Sequence, residues 1–188
     1  MLKDLVYRNR SYRRFHQERS IPREILLELA DLARVTPASK NIQPLKYFIS
    51  NEPDVNAKIF PHLAWARHLK NWNGPEEGER PSAYIIILED TTIGENFQRD
   101  QGIASQTIML GAVERELGGC IIASVNRDEV ANALCIPKNF KIALVLALGY
   151  PSEKVEINEI GPGDNTNYWR DELDIHHVPK RKLDDIIL

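Results

Sequence analysis

Two short stretches of this 188-residue chain are apolar along their whole length, and they constrain the fold more than any other feature. Residues 84–88 read YIIIL, and residues 142–148 read IALVLAL. Runs of this length without an alternating polar face are typical of strands buried on both sides of a sheet. The sequence therefore predicts two interior strands that other elements must cover.

Those other elements are mostly helical. Apolar residues recur at helical spacing in an opening helix that ends near Asn9 and in a second helix that begins at residues 20–22 and stops at Pro37. They recur again over residues 57–69, around Pro61, and over residues 96–117, where Gly118 is the expected C-terminal cap. Further strands are expected at residues 46–50 and 119–123, and a short helix from residue 126.

Helices and strands thus alternate, but the strands are few and the linkers irregular, which favours a layered α+β domain over a doubly wound sheet. No GxGxxG sequence follows a strand and no Walker A motif is present, so nucleotide-binding folds of those types are not indicated. Length alone favours one domain over residues 1–188. The stretch 152–188 has few apolar residues before 186–188, and we expect it to extend onto another subunit.

The amino-acid composition excludes several classes of protein and of binding site. The chain has a formal net charge of -3, and 43% of its residues are hydrophobic, as in a globular protein. No apolar run is long enough for a membrane span, so no membrane partner is expected. Cys120 and Cys135 form no CxxC motif, which suits a reducing cytoplasm. The five histidines lack chelating spacing, so a metal site is not expected.

The charge is unevenly distributed. Residues 1–50 carry ten Lys/Arg and five Asp/Glu, whereas residues 51–188 carry fourteen and twenty-two. Four of the fourteen arginines fall within the segment RNRSYRR at residues 8–14. Arginine forms forked hydrogen bonds with phosphate and carboxylate, so this segment predicts an anion site. A solvated face or a nucleic-acid patch is the alternative, and the negative net charge disfavours the latter.

Three more segments are of interest, each with an ordinary structural alternative. Ser39, Asn41 and Gln43 offer alternating hydrogen-bonding groups that could read a heteroaromatic edge, although polar residues near proline usually form a turn. Residues 102–106 and the glycines 118 and 119 permit close backbone approach, but paired glycines also end helices. Residues 178–182 form a basic patch that could be a solvated tail.

Taken together, these segments resemble the nitroreductase family. RSYRRF at residues 10–15, SKNIQP at 39–44, the Gly-Gly helix end and LGYP at 148–151 occur in the order and approximate spacing of that family. The resemblance implies a three-layer α+β sandwich whose central sheet is mostly antiparallel. It also implies an intertwined homodimer with two FMN sites at the subunit interface.

The resemblance further implies which residues hold FMN. The phosphate, ribityl chain and ring edge would be held by Asn9, Arg10, Ser11, Arg13, Ser39, Asn41, Gln43, Gly118, Gly119, Lys180 and Arg181. Ser39 and Asn41 would come from the neighbouring subunit. Trp65 and Trp72 would line the substrate pocket, with core packing as the alternative for Trp65. No role is predicted for Lys40.

The implied activity is that of an FMN-dependent oxidoreductase. NADH or NADPH would reduce the flavin, which would then reduce a nitroaromatic, quinone or similar acceptor in a ping-pong cycle. The flavin carries this chemistry, so no catalytic side chain is expected, and Cys120 is interpreted as a buried hydrophobe. Alternatives are a non-catalytic flavin-binding or flavin-sensing protein, a flavin-fragmenting or dehalogenating relative, and a nucleic-acid binder.

Overall fold

A computed structural model of the protein describes residues 1–188. The five α-helices are α1 (Leu2–Arg8), α2 (Arg23–Arg34), α3 (Pro53–Ile59), α4 (Gln98–Glu114) and α5 (Arg127–Ala133). The seven strands are β1 (Leu45–Ser50), β2 (Ala83–Asp90), β3 (Gly118–Ile122), β4 (Phe140–Gly149), β5 (Val155–Ile160), β6 (Trp169–Arg170) and β7 (His176–Arg181). Single 3-10 turns occupy Ser39–Asn41, Phe60–His62 and Leu183–Asp185.

The central sheet contains the first four strands in the order β1-β2-β4-β3, and all neighbours are antiparallel. The two apolar runs become its interior strands, β2 and β4, as the sequence predicts. Every residue of β2 is buried. This sheet leaves β1 and β3 as its two edges, and the edge at β3 is the one that matters for the functional site.

Helices cover both faces of this sheet. Residues of α2 and α4, including Leu29, Ile108 and Met109, pack against one face to form one buried cluster. Ile59 of α3, Val130 of α5 and Trp65 belong to a second cluster on the opposite face. The expected three-layer α+β sandwich with a mostly antiparallel sheet is confirmed. None of the helices is long and apolar enough to cross a lipid bilayer.

The helix expected over residues 57–69 is shorter and lies earlier than the sequence predicts. It begins at Pro53 and ends at Ile59, and one 3-10 turn containing Pro61 follows it. Proline has no N–H to donate and its ring clashes with the preceding turn, so the α-helix cannot continue through it. Leu63 then forms an isolated bridge with Val125, which draws the following residues towards the end of β3.

The long helix also ends differently from the expected glycine cap. Helix α4 stops at Glu114, and Glu116 takes the left-handed conformation with φ of 60°. The N–H of Leu117 donates to the carbonyl of Ala112 at 2.9 Å, which satisfies one terminal carbonyl. Gly118 is therefore the first residue of β3 rather than a helix cap.

The C-terminal stretch is more ordered within its own subunit than its composition indicates. Strand β7 pairs in parallel with β5 and antiparallel with β6, so that residues 155–181 form a three-stranded sheet. The expectation that residues 152–188 extend onto another subunit stays a prediction. The last eight residues are all exposed, and they include Leu183, Ile186, Ile187 and Leu188.

Candidate functional site

The arginine-rich segment after α1 lies along the free edge of the central sheet. We call residues 9–15 the N-terminal arm. Ser11 forms a parallel bridge with Gly119 of β3, and the N–H of Tyr12 donates to the carbonyl of Gly119 at 2.9 Å. The arm thus occupies the hydrogen-bonding edge that β3 would otherwise expose.

The two glycines at the start of β3 permit this close approach. A Cβ on Gly118 would lie 2.5 Å from Cδ2 of Tyr12 and 2.6 Å from Cγ of Pro151. A Cβ on Gly119 would lie 2.4 Å from the carbonyl oxygen of Ala147 on β4. Such distances exclude any side chain without movement of the backbone, so glycine is required at both positions.

A cavity of about 200 Å³ opens where the arm, α4, β3 and β7 meet. We call it the Arg10 cavity. It brings together predicted site residues from three distant parts of the chain. Those lining it are Asn9, Arg10, Ser11, Gly119 and Lys180, together with Gln106, Met109, Ile121 and Val178.

The Arg10 cavity is positively charged. Arg10 donates to the carbonyl of Val6 through Nη2 at 2.8 Å, while its buried Nε has no hydrogen-bond partner. Neither Arg10 nor Lys180 has a carboxylate within ion-pair distance. Partial burial lowers the pKa of Arg10 below its usual value, which reflects the cost of holding this charge away from water. Two uncompensated cations beside an unpartnered donor form a site that suits an anion.

Arg13, another residue predicted to hold FMN, does not line this cavity. The residue is 9% exposed, and its Nη1 lies 3.2 Å from the Ser11 carbonyl oxygen and 3.1 Å from Nε2 of His176. Its Cζ lies 4.8 Å from the centre of the Tyr168 ring. Burial and the neighbouring Arg13 lower the pKa of His176 to about 4, so its ring is neutral and Nε2 accepts a hydrogen bond from Nη1 of Arg13. Arg13 therefore joins the arm to the C-terminal sheet.

A buried carboxylate strengthens the same connection. Glu153, whose side chain is 2% exposed, accepts hydrogen bonds from the main-chain N–H groups of Arg13 and Arg14. Its second oxygen accepts from Nη2 of Arg170 at 2.8 Å. The position of the arm thus depends on residues that follow the central sheet in the chain.

The loop that contains Ser39, Asn41 and Gln43 lies apart from the Arg10 cavity, at the start of α4. The main-chain N–H and hydroxyl of Ser39 both donate to the buried carboxylate of Asp100, the hydroxyl at 2.7 Å. Gln43 donates to Oδ1 of Asn41 at 3.1 Å and lines a separate cleft of about 470 Å³ between α2 and β1. The predicted contribution of this loop to the neighbouring subunit's site stays a prediction.

The backbone of this loop is unusual. Lys40, Asn41 and Gln43 all have positive φ, at 52°, 55° and 54°. Non-glycine residues rarely adopt this left-handed conformation, and such strain is concentrated at functional positions. Three such residues fall within four positions of this loop, and all three side chains are exposed.

A second cavity of about 380 Å³ adjoins β3 on the other side of Ile121, which lines both. We call it the Tyr168 cavity. It is lined by residues 64–67 and 120–124 and by Tyr168. Half of its lining residues have small side chains, and the larger ones are Trp65, Arg67, Ile121, Ile122 and Tyr168.

The two predicted pocket tryptophans are placed differently. Trp65 is 8% exposed and packs against Phe60 with ring centres 5.9 Å apart, so it is a core residue that also contributes to the Tyr168 cavity. Trp72 lines neither cavity, and the guanidinium carbon of Arg170 lies 4.5 Å from the centre of its ring. Arg181 is exposed and does not reach the Arg10 cavity. No sequence motif identifies Tyr168 or Ile121 as lining residues.

The arrangement corresponds to a known family. The family model described as "Nitroreductase family" matches residues 6–150, which include the arm, the loop at 39–43 and the central sheet. The chain belongs to the nitroreductase family. Its resemblance in sequence to that family is thus confirmed, and the C-terminal sheet lies outside the matched residues.

Individual nitroreductases resemble the chain at low sequence identity. A protein of Archaeoglobus fulgidus, provisionally named an NADH dehydrogenase/NAD(P)H nitroreductase, is 23% identical over 82% of this chain and 88% of its own. A nitroreductase family protein of Clostridium novyi NT, solved by crystallography, has a TM-score of 0.69 at 24% identity, covering 81% of this chain and 86% of that chain. A provisionally named nitroreductase of Exiguobacterium sibiricum was solved in complex with FMN. It has a TM-score of 0.68 at 17% identity, covering 81% of this chain and 89% of that chain.

Proposed function

We propose that this nitroreductase-family protein is an FMN-dependent oxidoreductase. Bound FMN would supply the hydride chemistry at its N5, with NADH or NADPH as the donor and a nitroaromatic, quinone or similar compound as the acceptor in a ping-pong cycle. The observation that carries the proposal is the Arg10 cavity, in which Arg10, Ser11 and Lys180 converge without any carboxylate partner.

The residues of the Arg10 cavity fit the phosphate end of FMN. A phosphomonoester carries about −1.5 to −2 charges near neutral pH and has three strong acceptor oxygens. The unpartnered Nε of Arg10 is a buried donor that such an oxygen would satisfy. Arg10 and Lys180 would hold the phosphate, and Ser11 would donate to the phosphate or the ribityl chain. Asn9 and Gln106 would supply further polar contacts at the rim.

The Tyr168 cavity fits the ring. It lies along the same edge strand, so a ligand anchored at Arg10 would extend past Ile121 into it. The small side chains of Ala64, Ala66 and Ala123 leave room for a flat ring system and a stacked acceptor. No protein nucleophile is needed, and burial raises the pKa of Cys120, which keeps it a neutral thiol.

We further propose that the working form is a homodimer in which the loop at residues 39–43 of the partner subunit completes each site. The exposed, left-handed residues of this loop and the apolar end of the chain at 183–188 support this proposal. The dimer would cover Ile186, Ile187 and Leu188, which are at least 60% exposed in the isolated subunit. Two unpaired cysteines are consistent with a reducing cytoplasm.

The visible absorption spectrum of the purified protein tests the proposal. We expect a flavin spectrum that NADH or NADPH bleaches under anaerobic conditions and that an acceptor restores. A colourless protein that neither binds nor is stabilised by added FMN would refute it. Bound flavin that reduced nicotinamide leaves unbleached would instead identify a flavin-storing or flavin-sensing protein.

Two arginine substitutions test whether flavin binds at the Arg10 cavity. Arg10→Ala should lose flavin while its far-ultraviolet circular dichroism is unchanged. Arg99→Ala, at an exposed arginine outside both cavities, is the matched control and should keep flavin. Light scattering after size-exclusion chromatography should give twice the mass of the 21.5 kDa chain, and a monomer would contradict the proposed dimer.

A further inference from the structure

A third cavity, of about 270 Å³, lies at the start of β2 and shares no residue with the Arg10 or Tyr168 cavity. We call it the Arg80 cavity. Its walls come from residues 17–20, which follow the arm, from residues 51–60, which include α3, and from residues 80–84. Its volume is below the roughly 300–1,000 Å³ of sites for drug-sized ligands, so it suits a small molecule.

Unpartnered polar atoms are concentrated at this cavity. The side-chain atoms Asn51 Oδ1, Arg80 Nε, Ser82 Oγ and Tyr84 Oη are all buried and form no hydrogen bond. Tyr84 is only 1% exposed and Ser82 only 7%. Leaving one such group without a partner costs about 1–3 kcal/mol, so four around a single cavity call for a ligand that satisfies them.

Arg80 is the only cation that lines the cavity, and it has no carboxylate partner. Its guanidinium carbon lies 4.5 Å from the centre of the Phe60 ring, and stacking of this kind leaves the N–H groups at the guanidinium edge free to donate. The only acidic side chain in the lining is Glu18. That side chain is 70% exposed and lies 3.6 Å from His16, so it does not neutralise Arg80.

The other unpartnered groups at the Arg80 cavity could also form hydrogen bonds with an anion. Burial raises the pKa of Tyr84, so its hydroxyl stays protonated and can donate. Ser82 offers a second hydroxyl. Oδ1 of Asn51 is an acceptor, which matches a protonated oxygen such as that of hydrogen phosphate. Because the hydroxyls have almost no accessible surface, the ligand would reach them by turning the Arg80 side chain, which no ion pair restrains.

We propose that the Arg80 cavity binds a small oxyanion, the phosphate or carboxylate group of a small molecule, through the guanidinium of Arg80 and the hydroxyls of Tyr84 and Ser82. This site is separate from the proposed flavin site. It does not depend on whether the protein binds FMN.

Calorimetric titration of the full-length protein with inorganic phosphate, and separately with acetate, tests the proposal. We expect at least one of them to bind and to raise the melting temperature, since a ligand of the native state stabilises it. Arg80→Gln should weaken that binding by about tenfold or more, because it removes a charge-assisted hydrogen bond. Arg99→Gln, at an exposed arginine without an ion pair, is the matched control and should bind as the wild type does.

Tyr84→Phe separates a ligand contact from a structural role. The Tyr84 hydroxyl has no partner in the protein, so its removal should not lower the stability of the unligated protein. The same variant should bind the oxyanion several-fold more weakly. Unchanged affinity in both Arg80→Gln and Tyr84→Phe would overturn the proposal, as would a wild-type protein that binds neither anion.

Phosphate could also enter the Arg10 cavity, so Arg10→Gln is included as a further variant. Binding that Arg10→Gln abolishes and Arg80→Gln retains would place the anion in the flavin site and overturn the proposal. Binding of phosphate without acetate would identify a phosphate site, and the reverse result a carboxylate site. Either result supports an oxyanion site at Arg80 if Arg80→Gln no longer binds that anion.

Discussion

The main-chain N–H of Tyr12 donates a 2.9 Å hydrogen bond to the carbonyl of Gly119, which fixes the N-terminal arm against the edge strand β3. This contact places Arg10 and Ser11 beside the start of the strand. It requires close approach of two backbones, because Tyr12 and Ala147 together occupy the space where side chains at 118 and 119 would lie. The geometry of the arm beside the Arg10 cavity therefore depends on glycine at these positions.

Gly119→Ala should destabilise the protein by about 1–3 kcal/mol, since its Cβ would collide with the Ala147 carbonyl oxygen on β4. Gly102→Ala is the matched control, because no atom lies within 4 Å of a Cβ at that position in α4. It should raise stability by roughly 0.5–1 kcal/mol, as alanine favours a helix interior over glycine. Urea unfolding measures both, and equal stabilities would contradict the geometry.

Adjacent basic residues on β7 should differ in their effect on FMN. Lys180 lines the Arg10 cavity and Arg181 does not. Lys180→Ala should weaken FMN binding about tenfold, because a hydrogen bond to a charged group contributes about 1.5 kcal/mol or more. Arg181→Ala should leave affinity near that of the wild type. Titration monitored by flavin fluorescence distinguishes them, and a larger loss at Arg181 would reassign the phosphate contact.

Glu153→Gln should be strongly destabilising, by about 3 kcal/mol, because it removes one charge of a buried ion pair and leaves Arg170 with only the exposed carboxylate of Asp174, 3.8 Å away. Glu156→Gln is the surface control: its partner Lys154 is exposed, and no measurable change in the urea midpoint is expected. If the two variants unfold at the same urea concentration, Glu153 does not hold the arm as described.

His176 should make stability depend on pH. Its pKa falls from 6.5 to about 4 in the folded protein, so between these values the unfolded chain binds more protons. Stability contributed by the neutral ring is therefore complete above pH 6.5 and is lost as the pH falls towards 4, by on the order of 2 kcal/mol. His176→Gln should lose less stability between pH 7 and pH 4.5 than wild type does. His16→Gln, at an exposed histidine, should behave as wild type, and identical pH profiles for all three proteins would contradict this role.

Local patterns predicted the sheet better than the site. The apolar runs of β2 and β4 identify interior strands because their burial is nearly complete. The predicted helix boundaries are less accurate where a single residue determines the end of a helix. Pro61 does so after α3 and Glu116 after α4. The C-terminal sheet was missed because its strands are partly exposed, so hydrophobicity does not mark them.

The site residues became predictable only through the order of motifs along the chain. Arg10 and Arg13 have the same chemistry and lie three residues apart, yet only Arg10 lines a cavity. What separates them is His176, which lies 163 residues beyond Arg13 in the chain and contacts its guanidinium. No local pattern carries that information. Tyr168 was missed for the same reason, since its position depends on the packing of the C-terminal stretch against residues 64–67.

Ile121 is shared by the Arg10 and Tyr168 cavities, and it is 40% exposed. One aliphatic side chain on an edge strand therefore marks the boundary between the two compartments. Shortening it would remove atoms that line both cavities and would leave the covered interior of the sheet unchanged. For protein engineers who want this enzyme family to accept bulkier compounds, position 121 is the place to begin.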